Sequence, residues 1–446
     1  MYGRREQVEA HSFLVSRIIA AVLRTDPDAP ARPLRRTTSG LLGGIGIALL
    51  VVAITLIVTL FFGGGSDKWR EPGTLIVDED SGNRYLLVDG RLRPVLNYAS
   101  ARLLVEGEPP VATVSGDDLA DTPQGAPIGI PGAPDSVPSA NASAQPWTVC
   151  SGVPEDGENA AAVGVTVGAA AGVTAFGADE AVLVRVGGQQ YLAWQGTRLR
   201  LTAEWVPRAL GLDPDAAIPV DSAWLNTLPA GPDLGSPPVV HGGPGPAVAG
   251  QDTTLGQLVS VPDAVGDKAF VVAESGLMPV STTVATLLGA DPDLDLAPTI
   301  TLTPAELAAE RVLAAPVWQA ELPPRPPSAM DTSVRVPCVR WESDRVALVS
   351  AEGLAGVAVN GEGLTRDGRV ADRVEVVPGA GVIARTRPAP GVPGAGVYLI
   401  TETGAKFPVA DGAAAEALGL SLESAELVPA ELLALLPTGP VLEVPA

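Results

Sequence analysis

The sequence predicts an α+β protein: a single N-terminal transmembrane helix, then an elongated exported region of four small α+β repeats around a central β-rich domain closed by one disulfide. Three observations carry this. Residues 41–62 form an uncharged apolar run, a pattern of strand, turn, strand and helix then occurs four times, and Cys150 and Cys338 are the only cysteines.

The first forty residues precede the apolar run. Within residues 5–24, Val8, Phe13, Leu14, Val15, Ile18, Ile19, Val22 and Leu23 recur at helical spacing, and Asp26-Pro27 stops the pattern. Such a helix either lies on a membrane surface, helped by its arginines, or docks partner subunits through Val8, His11, Phe13, Leu14, Ile18 and Val22.

As a helix, the run from Leu41 to Phe62 spans roughly 30 Å, the thickness of a bilayer's hydrocarbon core. Arg24, Arg32, Arg35 and Arg36 precede it, whereas Lys68 and Arg70 follow it in company with Asp67 and Glu71. The positive-inside bias places residues 1–40 in the cytoplasm and residues 63–446 outside. A cleaved signal peptide is the competing reading, but it needs a shorter apolar core close to the start. Residues 1–40 carry seven Arg against four acidic residues, a balance of +3 that leaves −25 on the remainder of a chain whose net charge is −22. So acidic an exterior argues against nucleic acid or anionic lipid as its partner.

Four segments beyond the anchor share one pattern: residues 85–104, 191–211, 270–289 and 398–419. Each begins with an aromatic residue (Tyr85, Tyr191, Phe270, Tyr398) leading a short strand, and each turns at a glycine (Gly90, Gly196, Gly276, Gly404). A second strand follows, then a short helix ending near Leu104, Leu210, Leu288 or Leu418. Gly211, Gly289 and Gly419 follow in three copies as helix C-caps, and Val105 stands there in the first. A second helix trails each unit. Thr303-Pro304-Ala305-Glu306 is its clearest start, with a cap residue, Pro at the first helical position and Glu three residues after the cap. Asp221, Pro429 and, more weakly, Ser115 begin its relatives.

The expected division is a cytoplasmic segment 1–40, the anchor 41–62, repeat one 63–130, a linker with the first half of the central domain 131–178, repeat two 179–235, repeat three 250–315, the second half of the central domain 316–390 and repeat four 391–446. Residues 121–146 and 229–250, rich in Pro and Gly, read as linkers. On the oxidising side of a membrane two cysteines form one disulfide by default, the alternative being two buried free thiols. A bond between Cys150 and Cys338 would join segments distant in sequence into one sheet, with repeats two and three inserted between its halves.

Chemistry is sparse. A nucleotide-binding P-loop needs Gly-Lys-Ser/Thr after a glycine-spaced loop, and Lys68, Lys268 and Lys406, the chain's lysines, stand in no such context. His11 and His241 are the only histidines and fall on opposite sides of the predicted membrane, which rules out a paired-His zinc site within one copy. His241 sits in a Gly/Pro stretch, a poor seat for a catalytic triad. The Asp-rich run 291–295 is at most a weak calcium site. No catalytic, cofactor-binding or metal residue is expected.

Gln7-Val8-Glu9-Ala10-His11-Ser12-Phe13-Leu14, the four-unit exported region, and Ala144-Gln145-Pro146-Trp147 leading to Cys150 with Cys338 elsewhere together resemble the EccB family. This is the single-span core subunit of the actinobacterial type VII (ESX) secretion system. Ala10 and Ser12 stand where the family has Gly and Arg. The resemblance implies a structural subunit of an inner-membrane complex with its C-terminal region on the periplasmic side, supporting export of small helical proteins. It also implies partnership with an FtsK-like ATPase, a multispan channel-like subunit and further copies of itself. Family members have carried an ATPase label. The alternatives are an enzyme, either an unconventional nucleotide hydrolase or a cell-wall hydrolase, and an exported cell-wall-binding module.

Overall fold

The computed structural model describes residues 4–24, 34–62, 67–139, 143–153, 161–263, 266–331, 335–361, 363–366, 368–387 and 396–445. Two helices open it, α1 (Arg4–Arg24) and α2 (Leu34–Phe62). Helix α2 contains the whole apolar run and begins several residues before it. Among the described residues no helix is long and apolar enough to cross a membrane. The stop at Asp26-Pro27 and the Gly-rich junction 63–66 lie outside the described residues.

Beyond α2 the fold is mixed α+β, with several small sheets and one disulfide. The order of elements strand, strand, strand, helix, strand, helix occurs four times. The first copy is β1 (Leu75–Asp78), β2 (Arg84–Val88), β3 (Arg91–Pro94), α3 (Tyr98–Leu104), β4 (Val111–Val114) and α4 (Gly116–Leu119). After β5 (Trp147–Gly152), β6 (Ala162–Val167) and β7 (Thr174–Ala175) comes the second: β8 (Glu180–Val186), β9 (Gln189–Trp194), β10 (Thr197–Arg200), α5 (Val206–Ala209), β11 (Ile218–Pro219) and α6 (Ser222–Asn226). The third is β12 (Leu258–Val261), β13 (Lys268–Ala273), β14 (Gly276–Val280), α7 (Thr282–Ala290), β15 (Ile300–Thr301) and α8 (Pro304–Ala309). Then β16 (Ser328–Ala329), β17 (Val336–Glu342), β18 (Arg345–Ala351) and β19 (Arg373–Val376) precede the fourth: β20 (Val382–Thr386), β21 (Val397–Ile400), β22 (Lys406–Pro408), α9 (Gly412–Ala417), β23 (Glu426–Val428) and α10 (Ala430–Leu433).

Each unit's sheet has the order third, second, first, fourth, the fourth strand lying parallel to the first across the helix. The first strand of each unit precedes the aromatic residue with which the sequence pattern starts. In the fourth unit that strand is β20, whose pairing with β21 and β23 draws residues 382–386 out of the central segment 316–390 and into this sheet.

A fifth extended segment follows each unit, lying in the first two within the Pro/Gly stretches read as linkers, 121–146 and 229–250, and in the fourth within the repeat itself. Leu92, Arg198 and Lys406 each donate their backbone N–H to a proline carbonyl, Pro123, Pro229 and Pro437, at 2.9 Å. Gly125, Gly231 and Gly439, two residues on, donate back to the same strand residues at 2.9, 2.9 and 2.8 Å. A proline here costs nothing, because its missing N–H faces no partner. The glycine is required by close approach: a Cβ on Gly439 would stand 2.3 Å from the Phe407 ring, and one on Gly231 would stand 2.5 Å from Leu199. The third unit makes the same bonds with Arg311 and Leu313 in place of Pro and Gly.

Caps follow the sequence closely. Thr303 and Glu306 form a capping box with Pro304 inside it, while Ser115, Asp221 and Asp411 accept from the first turns of their helices. Gly211 and Gly419 take positive φ, as expected of C-caps. Gly289 does not: it lies inside α7, which runs one residue further and ends at Asp291. In the first unit Val105 closes the helix, and the next residue, Glu106, adopts the left-handed conformation.

The remaining strands make a six-stranded sheet in the order β19-β6-β5-β17-β18-β7, drawn from both sides of the second and third units. Its apolar face carries Val149, Val165 and Val339. They pack in one core with Trp224, Leu225 and Leu228 of the second unit and with Leu432, Leu433 and Leu436 of the fourth. A second core joins the second unit to the third, through Leu199, Val206 and Leu210 against Val284, Leu287 and Leu288. A third joins the first unit to the fourth, Ala99 and Leu103 against Phe407, Ala414 and Leu418. The cores therefore connect in the order third unit, second unit, central sheet, fourth unit, first unit.

Candidate assembly surfaces

The residues singled out from sequence fall in two places. Cys150 and Cys338 lie directly opposite on the antiparallel strands β5 and β17, bonded, with Cα atoms 4.0 Å apart. Three residues away the same register places Trp147 opposite Trp341. Both face the second unit: Trp341 Nε1 donates to the Thr227 carbonyl at 2.8 Å, while Trp147 is buried with Trp224 in the central core and its own Nε1 makes no hydrogen bond among the described residues. Trp224 donates in turn from Nε1 to the Val149 carbonyl on β5, at 3.0 Å. Arg369 adds an ion pair to Asp221 at the cap of α6, at 2.7 Å. The disulfide and these contacts fix the second unit to a sheet whose halves are 188 residues apart in sequence.

The second place is α1. Val8, His11, Phe13, Leu14, Ile18 and Val22 are all exposed, Val22 at 77% and Val8 at 66%. They do not share one face. At about 100° per residue, Val8, His11, Val15, Ile18, Ile19 and Val22 form one stripe with Leu14 at its margin, and Phe13 stands roughly 140° from Val8 on the other side. The apolar face is therefore carried by Val8, Val15, Ile18, Ile19 and Val22, and Phe13 is a separate projection. The bare period of the sequence holds this distinction once the angles are drawn.

The groups considered for chemistry have structural partners. Asp291, buried at the end of α7, accepts from the Ser236 hydroxyl and from the Asp293 N–H, so the 291–295 run is a turn stitched to the second unit's tail. Among the described residues no group of three or more His, Cys, Asp or Glu is placed to hold a metal ion. Lys268 pairs with Asp263 at 2.7 Å. Lys406 is buried, and its ammonium donates to the carbonyls of Leu433 and Leu436 at 2.5 and 2.8 Å, closing the end of α10. His241 lies where a hairpin begins, with Gly242 bonded to Leu255. The resolved pKa shifts are likewise local: Ser81 hydroxyl donation lowers Asp78, Thr303 backbone donation lowers Glu306, and the Asp233 carboxylate raises Arg200.

The chain is similar to known proteins along most of its length. The family model described as "Type VII secretion system ESX-1, transport TM domain B" matches residues 2–446. The ESX-5 secretion system ATPase EccB5 of Mycobacterium tuberculosis (strain ATCC 25618 / H37Rv) is 30% identical over 468 residues, covering 98% of this chain and 91% of the relative. Among solved structures, the periplasmic assembly from the ESX-5 inner membrane complex contains a chain of TM-score 0.68 and 30% identity, covering 86% of this chain and 97% of that one. The EccB3 dimer from the ESX-3 core complex contains one of TM-score 0.65 and 26% identity, covering 83% of this chain and 98% of that one. The chain belongs to the EccB family of the type VII (ESX) secretion system.

Proposed function

We propose that this chain is a structural subunit of a type VII secretion inner-membrane complex, anchored by α2 with its N-terminus in the cytoplasm and the four units on the periplasmic side. The observation that carries the reading is the likeness, over 86% and 83% of the chain, to a chain solved within the periplasmic assembly of the ESX-5 inner membrane complex and to the EccB3 dimer of the ESX-3 core complex. The anchor rests on sequence: the uncharged run 41–62, at about 1.5 Å per residue, matches a bilayer core. The arginines before it set the direction.

In this reading the exported region is four repeats around one central domain, and the continuous run of cores makes it a stiff spacer. Stiffness suits a scaffold that must hold partners at fixed separation. The partners are other membrane subunits of the same machine, an FtsK-like ATPase and a multispan channel-like subunit, together with further copies of this chain. Its cargo is small helical proteins exported by the complex.

The word ATPase in the relatives' names gives the second reading. Against it stand the lysines: Lys406 is committed to helix carbonyls and Lys268 to Asp263. Two measurements on tagged full-length protein, extracted in mild detergent, test the proposal. Migration in a large complex with an ATPase subunit, and loss of export when the gene is deleted, are expected. A free monomer and undiminished export would overturn it, and nucleotide turnover by the isolated chain would favour the enzyme reading.

A further inference from the structure

The second unit carries a recess whose lining shares no residue with the disulfide-bearing strands. Its volume is about 570 Å³, within the range of small-molecule sites. Its floor is held by two glutamines. Gln189 donates from Nε2 to the carbonyls of Gln190 and Leu201, at 2.9 and 2.7 Å, and Gln190 donates to the Pro214 carbonyl at 3.0 Å. Those bonds fix the lining before any ligand arrives, which is what a site needs to bind without paying for its own ordering.

Two arginines line it, Arg185 from β8 and Arg208 from α5, and both are exposed. Among the described residues neither makes an ion pair, as is also true of Arg91, Arg345 and Arg373 elsewhere on the surface; what sets Arg185 and Arg208 apart is that both line one recess. Glu204 is the one acidic residue of the lining. In a chain of net charge −22, two cations gathered on one polar recess offer a place to an anion.

We infer that this recess binds a phosphate-bearing ligand. A guanidinium presents parallel N–H donors that match the oxygens of a phosphate, and two of them suit a doubly charged group. A single carboxylate would leave one guanidinium unmatched, and an apolar ligand would meet a polar wall. The volume beyond the phosphate takes the group to which it is attached, and Glu204 on the lining accepts from that group's hydroxyls. The same chemistry is offered by a soluble phosphate ester and by a phospholipid headgroup.

The test uses the full chain in detergent, titrated calorimetrically with glycerol 3-phosphate and pyrophosphate, and separately with short-chain phosphatidylglycerol against phosphatidylcholine. Saturable binding is expected, weakened at least tenfold by Arg185→Gln with Arg208→Gln, weakened less by the corresponding Lys pair, and unchanged by Arg345→Gln with Arg373→Gln. An unaltered thermal transition establishes that the variants fold. Binding of the esters alone assigns a soluble ligand, and binding of phosphatidylglycerol alone assigns a headgroup. If neither binds saturably, or if the Gln pair leaves binding intact, the inference fails.

Discussion

Cys150 and Cys338 face one another across β5 and β17, and between them in sequence lie two complete sheets, those of the second and third units. The bond therefore closes a central sheet around an insertion that has its own core. For a separation of 188 residues the chain-entropy model gives roughly 5 kcal/mol, and prior folding of the inserted units reduces it.

Replacing both cysteines with serine is expected to cost about 2–5 kcal/mol, and the loss should be uneven. Hydrogen exchange should accelerate in β5, β6 and β17 while β12, β13 and β14 keep their protection, because among the described residues the third unit shares its core with the second unit and with Trp318 and Leu322, and not with the strands of the central sheet. Equal acceleration in both regions would show that the units do not fold separately.

Trp224 links that insertion to the sheet. It is fully buried and donates to the Val149 carbonyl. Trp224→Phe keeps most of the volume and should cost about 1–2 kcal/mol for the lost bond; Trp224→Ala should cost about 3–5 kcal/mol for the cavity. Denaturant titration of both variants checks the ordering, and a Trp224→Phe variant as stable as the native chain would mean the hydrogen bond contributes nothing beyond packing.

Lys406 closes the end of the fourth unit. The last carbonyls of a helix have no partner within it; here a buried ammonium reaches that of Leu433, the last residue of α10, and that of Leu436 just beyond it. Leu433 also accepts from the Leu436 N–H at 3.2 Å. Lys406→Met retains the stem and removes the donor to Leu436, so a loss of about 1–3 kcal/mol is expected. Faster exchange should be confined to α10 and β22. Unchanged stability would mean that water takes over the Leu436 carbonyl.

The sequence was legible where local chemistry decides. Thr303-Pro304-Ala305-Glu306 names its own helix start, and the glycine turns mark the hairpins. Two features were hidden. The first strand of each unit, such as Leu75–Asp78, is a short run of four to seven residues with no aromatic residue to flag it, and its place is set by pairing with later strands. The fifth segments of the first two units were masked by their prolines, which read as linker, and that of the fourth lay unmarked inside repeat four. Yet Pro123-Gln124-Gly125, Pro229-Ala230-Gly231 and Pro437-Thr438-Gly439 repeat at equivalent positions, a signal the sequence holds openly. Gly289 shows the reverse failure: a cap residue in the right place is overridden when the next turn packs well, with Leu287 and Leu288 buried against the second unit. For the assembly surface, the period of α1 was plain, but which residues share a face required the angles.

Glu306 supplies a pH test. Donation from the Thr303 N–H and hydroxyl, at 2.7 and 2.8 Å, holds its carboxyl below the usual glutamate range. A lowered carboxylate stabilises the fold fully above its unfolded value, and that contribution disappears as pH falls through the folded value. Carboxyl-carbon NMR should therefore find Glu306 titrating below the usual glutamate range, and Thr303→Ala, which removes the hydroxyl but keeps the backbone N–H, should raise it only part of the way. Because the pair is exposed, the melting temperature should scarcely move.

Helix α1 poses the sharpest question about assembly. Val8, Ile18, Ile19 and Val22 are more than half exposed, and they form a continuous stripe with Val15. Leaving such side chains in water forfeits roughly 1.5–3 kcal/mol each relative to full burial, so something covers the stripe in the cell. A membrane-crossing helix gains no hydrophobic drive toward its neighbours, lipid being as apolar as they are; a docking helix outside the bilayer therefore offers a second hold on the complex. Ile18→Asp with Val22→Asp is expected to leave the exported units folded and the protein in the membrane while releasing it from the large complex on native gels. Phe13→Asp, which lies off the stripe, should release far less. If the stripe variant still enters the complex as well as the native chain does, the helix rests on lipid and assembly depends on α2 and the exported units alone.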